Sequence, residues 1–337
     1  MLYYVAPVFP DRITPLTESA TPATADDAAA RKRVVSGYAL LVLAVLTWAG
    51  NSTVGRATAE ENIPPMAFTF WRWVTAFVIF ATIFGPATWR QRHKILAHWK
   101  FVVSFALISV AGFNAVFYVA LQKAPALQVS LIQSILPILV LLIGLAVLRE
   151  RIDAKQWLGI VFSIGGALLI VTRGDAKVLG TLQLGEGDLW ALAAVFIWAW
   201  QAFLMRWKPR SIDIMPFMTP IALIGVIGIT PFYLYEHATV GPMPVTQNSI
   251  LFVLYVAVMA SFIGTTCWNE GTYRSGPARA GYFGNLFFIF ASAMAIVILG
   301  EDLFWYHIAG AASVLVGIWL ATFQRGSAPS KPGTGNG

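Results

Sequence analysis

Long apolar runs alternate with short polar segments along most of this chain. Each run is about 20 residues long, which is the length at which an α-helix crosses the hydrocarbon core of a bilayer and is too long for the strands of a membrane barrel. The pattern predicts an all-α membrane protein with ten transmembrane helices. Their predicted positions are Ser36–Arg56, Pro65–Pro86, Phe101–Leu121, Ala126–Leu148, Gln156–Thr172, Leu189–Trp207, Met215–Tyr235, Ile250–Asn269, Ala280–Leu299 and Phe304–Phe323.

Composition supports a membrane protein, since 58% of the residues are hydrophobic and only 12% are charged. Soluble domains carry about 25% charged residues. The single cysteine, Cys267, excludes an internal disulfide framework or a cysteine metal site. Residues 1–35 and 326–337 lack long apolar runs, and we expect both segments to be disordered tails.

Lys and Arg concentrate in alternate connections between the predicted helices, and the other connections hold only Arg56, Lys123, Arg173 and Lys177. The basic side of a membrane protein faces the cytoplasm, so both tails are predicted to be cytoplasmic, with the chain in the inner (plasma) membrane. The net charge of +7 then reflects topology and attraction to anionic membrane lipid, and no nucleic-acid partner is predicted. The opposite side collects acidic residues: Glu60, Glu61, Asp175, Glu186, Asp188, Glu236, Glu301 and Asp302.

Residues about 150 positions apart match in type, which indicates an internal repeat. It divides the chain into a first five-helix half, 36–172, a periplasmic linker, 173–188, and a second five-helix half, 189–325. Five is an odd number, so the second half must be inverted in the membrane. Inverted repeats are typical of carriers that work by alternating access around a midplane site. Matching pairs include Gly37 with Gly187, Trp48 with Trp198, Glu150 with Glu301, and Gly159 with Gly310.

The chain resembles the EamA-type transporters of the drug/metabolite transporter superfamily. The resemblance rests on Gly37, Trp48, Arg56, Pro137, Glu150 and Gly159 in the first half, and on Gly187, Trp198, Arg206, Glu301 and Gly310 in the second. Phe288 replaces the proline expected opposite Pro137. The resemblance implies a central cavity lined by helices one to four and six to nine. It also implies peripheral helices five and ten, where a homodimer contact could form, and export of amino acids or related compounds. Relatives move amino acids, sugars, nucleotides and drugs, so the substrate stays open.

Arg72 lies about 10 Å deep in the second predicted helix, where a charge facing lipid costs a few kcal/mol. It either faces the cavity as an anchor for a carboxylate or phosphate, or reaches the headgroups as a structural side chain. Further candidates for substrate binding share helical faces that could line the cavity or form ordinary helix contacts. They are Trp48, Asn51, Asn114, Tyr118, Gln133, Trp198, Gln201, Trp268, Tyr282 and Asn285.

Glu270 could bind a coupling proton, although its spacing to Arg274 also suits a plain ion pair. Pro137 removes a backbone hydrogen bond and is a candidate hinge. The sequence shows no metal-binding histidine motif and no nucleotide-binding lysine motif, so we expect no metal, no cofactor and no enzyme activity. A secondary transporter of a small metabolite is the preferred function. The alternatives are a lipid scramblase or passive channel, and a membrane-embedded lipid-modifying enzyme.

Overall fold

The structure is a computed structural model that describes residues 25–148, 154–175, 185–275, 280, 283–284 and 286–322. All regular secondary structure in these residues is helical. The α-helices are α1 (Ala25–Glu60), α2 (Pro65–Arg90), α3 (Arg92–Ala97), α4 (Trp99–Ala106), α5 (Phe113–Lys123), α6 (Ala126–Gln133), α7 (Leu136–Leu148), α8 (Ala154–Val171), α9 (Glu186–Leu204), α10 (Ile214–Thr239), α11 (Gln247–Tyr255), α12 (Thr265–Ser275), α13 (Leu286–Leu299) and α14 (Trp305–Thr322).

Seven helical stretches are long and apolar enough to cross a membrane. They are Arg33–Glu60, Pro65–Arg90, Trp99–Lys123, Ala126–Val147, Glu186–Trp207, Ile214–Thr239 and Gln247–Ser275. Three shorter apolar helices accompany them, at Trp157–Ile170, Leu286–Leu299 and Trp305–Leu320. The predicted all-helical class is therefore confirmed for the described residues.

Local chemistry explains several helix ends. Pro65 is the first residue of α2, a position that suits proline because its missing N–H would have no partner there. The start of α11 is a capping box, in which Thr246 and Ser249 each accept a hydrogen bond from the other's backbone N–H. Helix α1 differs from the expectation, because it begins at Ala25 and residues 25–35 are helical. That segment is rich in Ala, Arg and Lys, which favour helix.

Three of the apolar helical stretches are interrupted in their interior. A π-helix at Leu107–Gly112 joins α4 to α5, and another at Val256–Gly264 joins α11 to α12. The third interruption separates α6 from α7 at Ser134 and Ile135, close to Pro137. Proline has no N–H to bond the carbonyl four residues earlier, which accounts for this break. Whether Pro137 acts as a hinge stays a prediction.

Acidic side chains join separate helices at one end of the bundle, which we call the acidic end. Glu236 of α10 accepts hydrogen bonds from the backbone amides of Met66 and Ala67 at 3.2 and 2.8 Å, at the start of α2. Glu301 accepts from the first two amides of α6, both at 2.7 Å. The first amides of a helix lack intrahelical partners and carry partial positive charge, so a carboxylate is a favourable acceptor there.

We expect Glu236→Ala to lower the Tm of the detergent-solubilised protein by about 5 °C. The substitution leaves two amides of α2 without an acceptor, and each buried unpaired amide costs about 1–3 kcal/mol. The matched control is Glu60→Ala, because Glu60 is exposed at the end of α1 on the same side of the bundle. Equal Tm values for the two variants would show that water replaces the Glu236 carboxylate.

Most of the buried apolar side chains form one large cluster that joins α1, α5, α6, α9 and α13, and a smaller cluster joins α2, α4 and α10. Helices α8 and α14 pack chiefly against each other, at the edge of the bundle. Their contact is close because Gly166 and Gly310 face each other, and a Cβ on Gly166 would lie 2.5 Å from the carbonyl oxygen of Gly310. Small residues allow such backbone approach between membrane helices.

Candidate functional site

A cavity of about 140 Å³ lies between the helices and is lined by residues from both halves of the sequence. Seven of the eighteen described residues that line it are aromatic, and one of the eighteen, Arg72, is charged. The lining residues are Trp48, Asn51, Arg72, Trp73, Phe105, Ser109, Phe113, Asn114, Phe117, Gln133, Trp198, Gln201, Met218, Ile221, Ala260, Ser261, Thr265 and Phe287.

Arg72 is held in place by polar side chains from two helical segments, and a third segment supports one of them. Its Nη1 donates to Asn114 Oδ1 at 2.7 Å and to Tyr118 Oη at 2.6 Å, both on α5. Its Nε donates to Ser261 Oγ at 3.1 Å, on the second π-helix. The Tyr118 hydroxyl donates in turn to Asn51 Oδ1 of α1 at 2.6 Å. The guanidinium orientation is therefore fixed before any solute arrives.

The charge of Arg72 has no counterion in the part of the chain that the structure describes. The side chain is only 6% exposed, no carboxylate there lies within ion-pair distance, and the described residues offer no acceptor to Nη2. The rings of Trp73 and Tyr118 partly stabilise the positive charge of Arg72, since their centroids lie 5.2 and 5.6 Å from the guanidinium carbon. A buried charge without an ionic partner is costly, so this cation favours an anionic ligand.

Aromatic side chains form two walls of the cavity. On one wall Trp48 donates from Nε1 to the carbonyl of Ala260 at 3.0 Å and packs on Trp268, with ring centroids 5.1 Å apart. On the other wall Trp198 packs between Phe113 and Phe287, at centroid distances of 5.4 and 5.8 Å. These walls suit the apolar body of a small molecule.

Several buried polar atoms of the cavity lining have no hydrogen-bond partner among the described residues. Gln133 has neither of its amide atoms bonded, and the Gln201 Oε1 atom is also unbonded. The Ser109 hydroxyl and the Trp73 indole N–H share this condition. Buried polar groups are normally paired in native proteins, so these atoms are available to a ligand or to water in the cavity.

The structure brings most of the predicted binding residues together. Seven of them line the cavity: Trp48, Asn51, Arg72, Asn114, Gln133, Trp198 and Gln201. Tyr118 lies behind the lining and positions Arg72, while Trp268 is buried behind Trp48. Tyr282 and Asn285 lie outside the described residues.

Other residues differ from the sequence expectations in their placement. Glu270 is outside the cavity lining and forms a partly exposed ion pair with Arg274 at 2.7 Å. This geometry matches the simple ion pair that the sequence spacing also allowed. Sequence reasoning missed Trp73, Ser109 and Ser261. Only Trp73 carried a usable signal, since it follows Arg72 directly. In the residues that the structure describes, no group of three His, Cys, Asp or Glu side chains is arranged to hold a metal ion.

This fold and cavity are typical of a multi-pass membrane protein that accommodates a small solute between its helices. The chain belongs to the EamA-like transporter family, whose sequence pattern matches it twice, at residues 35–172 and 185–323. The two matches together cover most of the chain. The family consists of membrane transporters rather than enzymes, in agreement with the resemblance and the function class expected from the sequence.

Similar proteins agree with this family membership. A "Probable amino-acid metabolite efflux pump" of Salmonella typhimurium is 26% identical over 84% of this chain and 94% of its own length. The "Uncharacterized transporter YyaM" of Bacillus subtilis is 23% identical over 77% of this chain and 84% of its own length. A solved crystal structure with 16% sequence identity superposes with a TM-score of 0.57, covering 87% of this chain and 96% of that one, and supports the fold alone.

Proposed function

We propose that this protein is a secondary transporter that exports a small amino-acid-related metabolite across the inner membrane by alternating access. The proposal is based on Arg72, a buried cation that lines the cavity and has no counterion among the described residues. Arginine is well suited to hold a carboxylate, because its planar fork offers parallel N–H groups. Amino-acid export draws support from the Salmonella relative, which is named a probable amino-acid metabolite efflux pump.

The proposal includes ten membrane-spanning helices arranged as two inverted five-helix halves. Three observations support it. The seven long helices and three short apolar helices together make ten, and the family pattern matches two successive segments. In addition, the π-helices at Leu107–Gly112 and Val256–Gly264 occupy corresponding positions in the two matched segments. Because each half has an odd number of helices, the halves would enter the membrane from opposite sides.

The orientation with both termini in the cytoplasm follows from the basic connections of the sequence. It places the acidic end, with Glu236 and Glu301, on the periplasmic side. Helices α8 and α14 carry exposed apolar side chains, among them Trp157 and Trp319, 49% and 57% exposed. These side chains suit contact with membrane lipid or with a second copy of the chain.

The test is counterflow in proteoliposomes with a panel of labelled amino acids and related carboxylates. Saturable counterflow of one compound class establishes a carrier and identifies its substrates. Flux that neither saturates nor shows counterflow would support a passive channel or lipid scramblase and overturn the proposal.

Substrate charge gives a sharper prediction. We expect an N-acetyl amino acid to compete for transport about tenfold better than the corresponding zwitterionic amino acid, a ratio equivalent to about 1.4 kcal/mol. The lining residues that the structure describes include Arg72 for the carboxylate but no carboxylate for an ammonium group. The N-acetyl amide can instead bond the free amide atoms of Gln133. Equal competition would show that aromatic faces and amide oxygens bind the ammonium, and would contradict the charge argument.

A further inference from the structure

One carboxyl group at the acidic end differs from the others that the structure describes. Asp188, in the first turn of α9, is only 1% exposed, and its Oδ2 has no hydrogen-bond partner among the described residues. Its Oδ1 accepts a hydrogen bond from Gln128 Nε2 on α6. A buried carboxylate with an unpaired oxygen is costly, whereas a protonated carboxyl removes that charge.

Four other acidic side chains at this end have hydrogen-bond or ion-pair partners among the described residues. Glu236 and Glu301 each accept two backbone amides. Glu186, two residues before Asp188, pairs with Lys123 at 2.8 Å on the surface, and Glu61 accepts from Asn248 at 2.6 Å. Burial and an unsatisfied oxygen therefore coincide only at Asp188 among these carboxylates.

Charged and titratable groups of neighbouring elements lie close enough to Asp188 to interact with it electrostatically. Arg173, just after α8, acts on it electrostatically, and Tyr306 of α14 interacts with it as well. Arg173 also acts on His307 of α14, which is 4% exposed and whose Nε2 has no partner among the described residues. The nearby Lys123 and Glu186 neutralise each other, and Glu301 is engaged with the start of α6. We call Asp188, Arg173, Tyr306 and His307 the Asp188 cluster.

The Asp188 cluster is connected to the cavity through two helices. Gln128, which bonds Asp188, precedes the cavity residue Gln133 on α6, while α9 carries Asp188 together with Trp198 and Gln201. Helices α6 and α9 belong to different matched segments of the chain. A movement between the two halves would therefore change both the cavity and the access of water to Asp188.

We propose that Asp188 binds the proton that couples this carrier to a pH gradient. The proposal rests on the proposed transport function. Protonation of Oδ2 allows the side chain to stay buried while the acidic end is closed. Opening of that end exposes Oδ2 to the periplasmic solution, from which it takes up a proton as the end closes again. The proton then leaves through the cavity to the cytoplasm when the carrier opens to that side, so that one proton enters as one substrate leaves.

The experiment compares two modes of transport in the same proteoliposomes. Counterflow at equal pH on both sides measures exchange without a net driving force, and accumulation under an imposed pH gradient measures coupling. We expect counterflow in Asp188→Asn to stay within about twofold of the wild-type rate. Its gradient-driven accumulation should fall at least about tenfold. Asp188→Glu keeps a titratable group and should retain both counterflow and gradient-driven accumulation. Substrate-dependent proton flux, followed with a trapped pH dye, should disappear only in Asp188→Asn.

Glu186→Gln is the matched control, because Glu186 lies on the same helical turn but is exposed, and it should behave like the wild type. Gradient-driven accumulation that survives in Asp188→Asn overturns the proposal, and so does its selective loss in Glu270→Gln. If Asp188→Asn loses counterflow and gradient-driven accumulation together, Asp188 has a structural role, and this result also overturns the coupling proposal. Wild-type counterflow without any response to the gradient overturns the coupling proposal but leaves the transport function standing. Absence of wild-type counterflow refutes the transport function itself.

Discussion

Replacement of Arg72 by glutamine is expected to reduce the transport of anionic substrates about 100-fold or more. The loss follows from removing the only charged side chain among the described residues that line the cavity, since hydrogen bonds to a charged group contribute about 1.5–3 kcal/mol each. Arg72→Lys restores the charge, but its single ammonium cannot reproduce the bonds to Asn114, Tyr118 and Ser261 while also binding a solute. We therefore expect intermediate transport in Arg72→Lys. The measurement is saturable uptake, normalised to the amount of monodisperse protein.

Arg56→Gln is the control for this pair of variants. Arg56 is also an arginine of the bundle, but its Nη1 donates to the backbone carbonyls of Leu121 and Gln122 and it is absent from the cavity lining. We expect its transport to stay near the wild-type level. Unchanged uptake in a folded Arg72→Gln variant would contradict the binding role. It would leave Arg72 as a structural residue that joins α2 to α5 and to the second π-helix.

The positions of most helices could be predicted from the sequence because proline and charged residues limit the apolar runs. Pro65 starts α2 and the residue after Pro125 starts α6, both at the predicted positions. The π-helices could not be predicted in this way. A π-helix depends on how the neighbouring helices pack, and the apolar sequences at these two places show no break in periodicity.

Residues of the candidate site could be predicted from the sequence only where the geometry of a single helix determines which way a side chain points. Trp48 and Asn51 share a helical face, and Arg72 is too deep for a charge that faces lipid, so their presence in the cavity lining follows from local geometry. Ser261 is 189 residues from Arg72 in sequence, and nothing local links the two. The same holds for Trp268, which shares no local signal with the cavity and lies buried against Trp48, outside the cavity lining.

The contact between α8 and α14 gives the second large expected effect. A Cβ on Gly166 would lie 2.5 Å from the carbonyl oxygen of Gly310 and 3.0 Å from the Ser313 side chain, so even alanine requires the two helices to separate. Overpacking of this kind costs about 1–3 kcal/mol for a small side chain. We expect Gly166→Ala to lower the Tm by about 5 °C, and Gly166→Leu to abolish recovery of monodisperse protein.

The neighbouring glycine provides the control for this prediction, because a Cβ on Gly165 would have no atom within 4 Å. Gly165→Ala and Gly165→Leu carry the same changes in helix propensity and hydrophobicity, yet point away from α14 into the space open to lipid. We expect both variants to keep the wild-type Tm or to raise it slightly, since Gly is a poor helix former. If Gly165→Leu and Gly166→Leu were equally damaging, the loss would come from the substitution itself. Damage confined to Gly166 would show that α8 is held in the bundle by close backbone contact with α14.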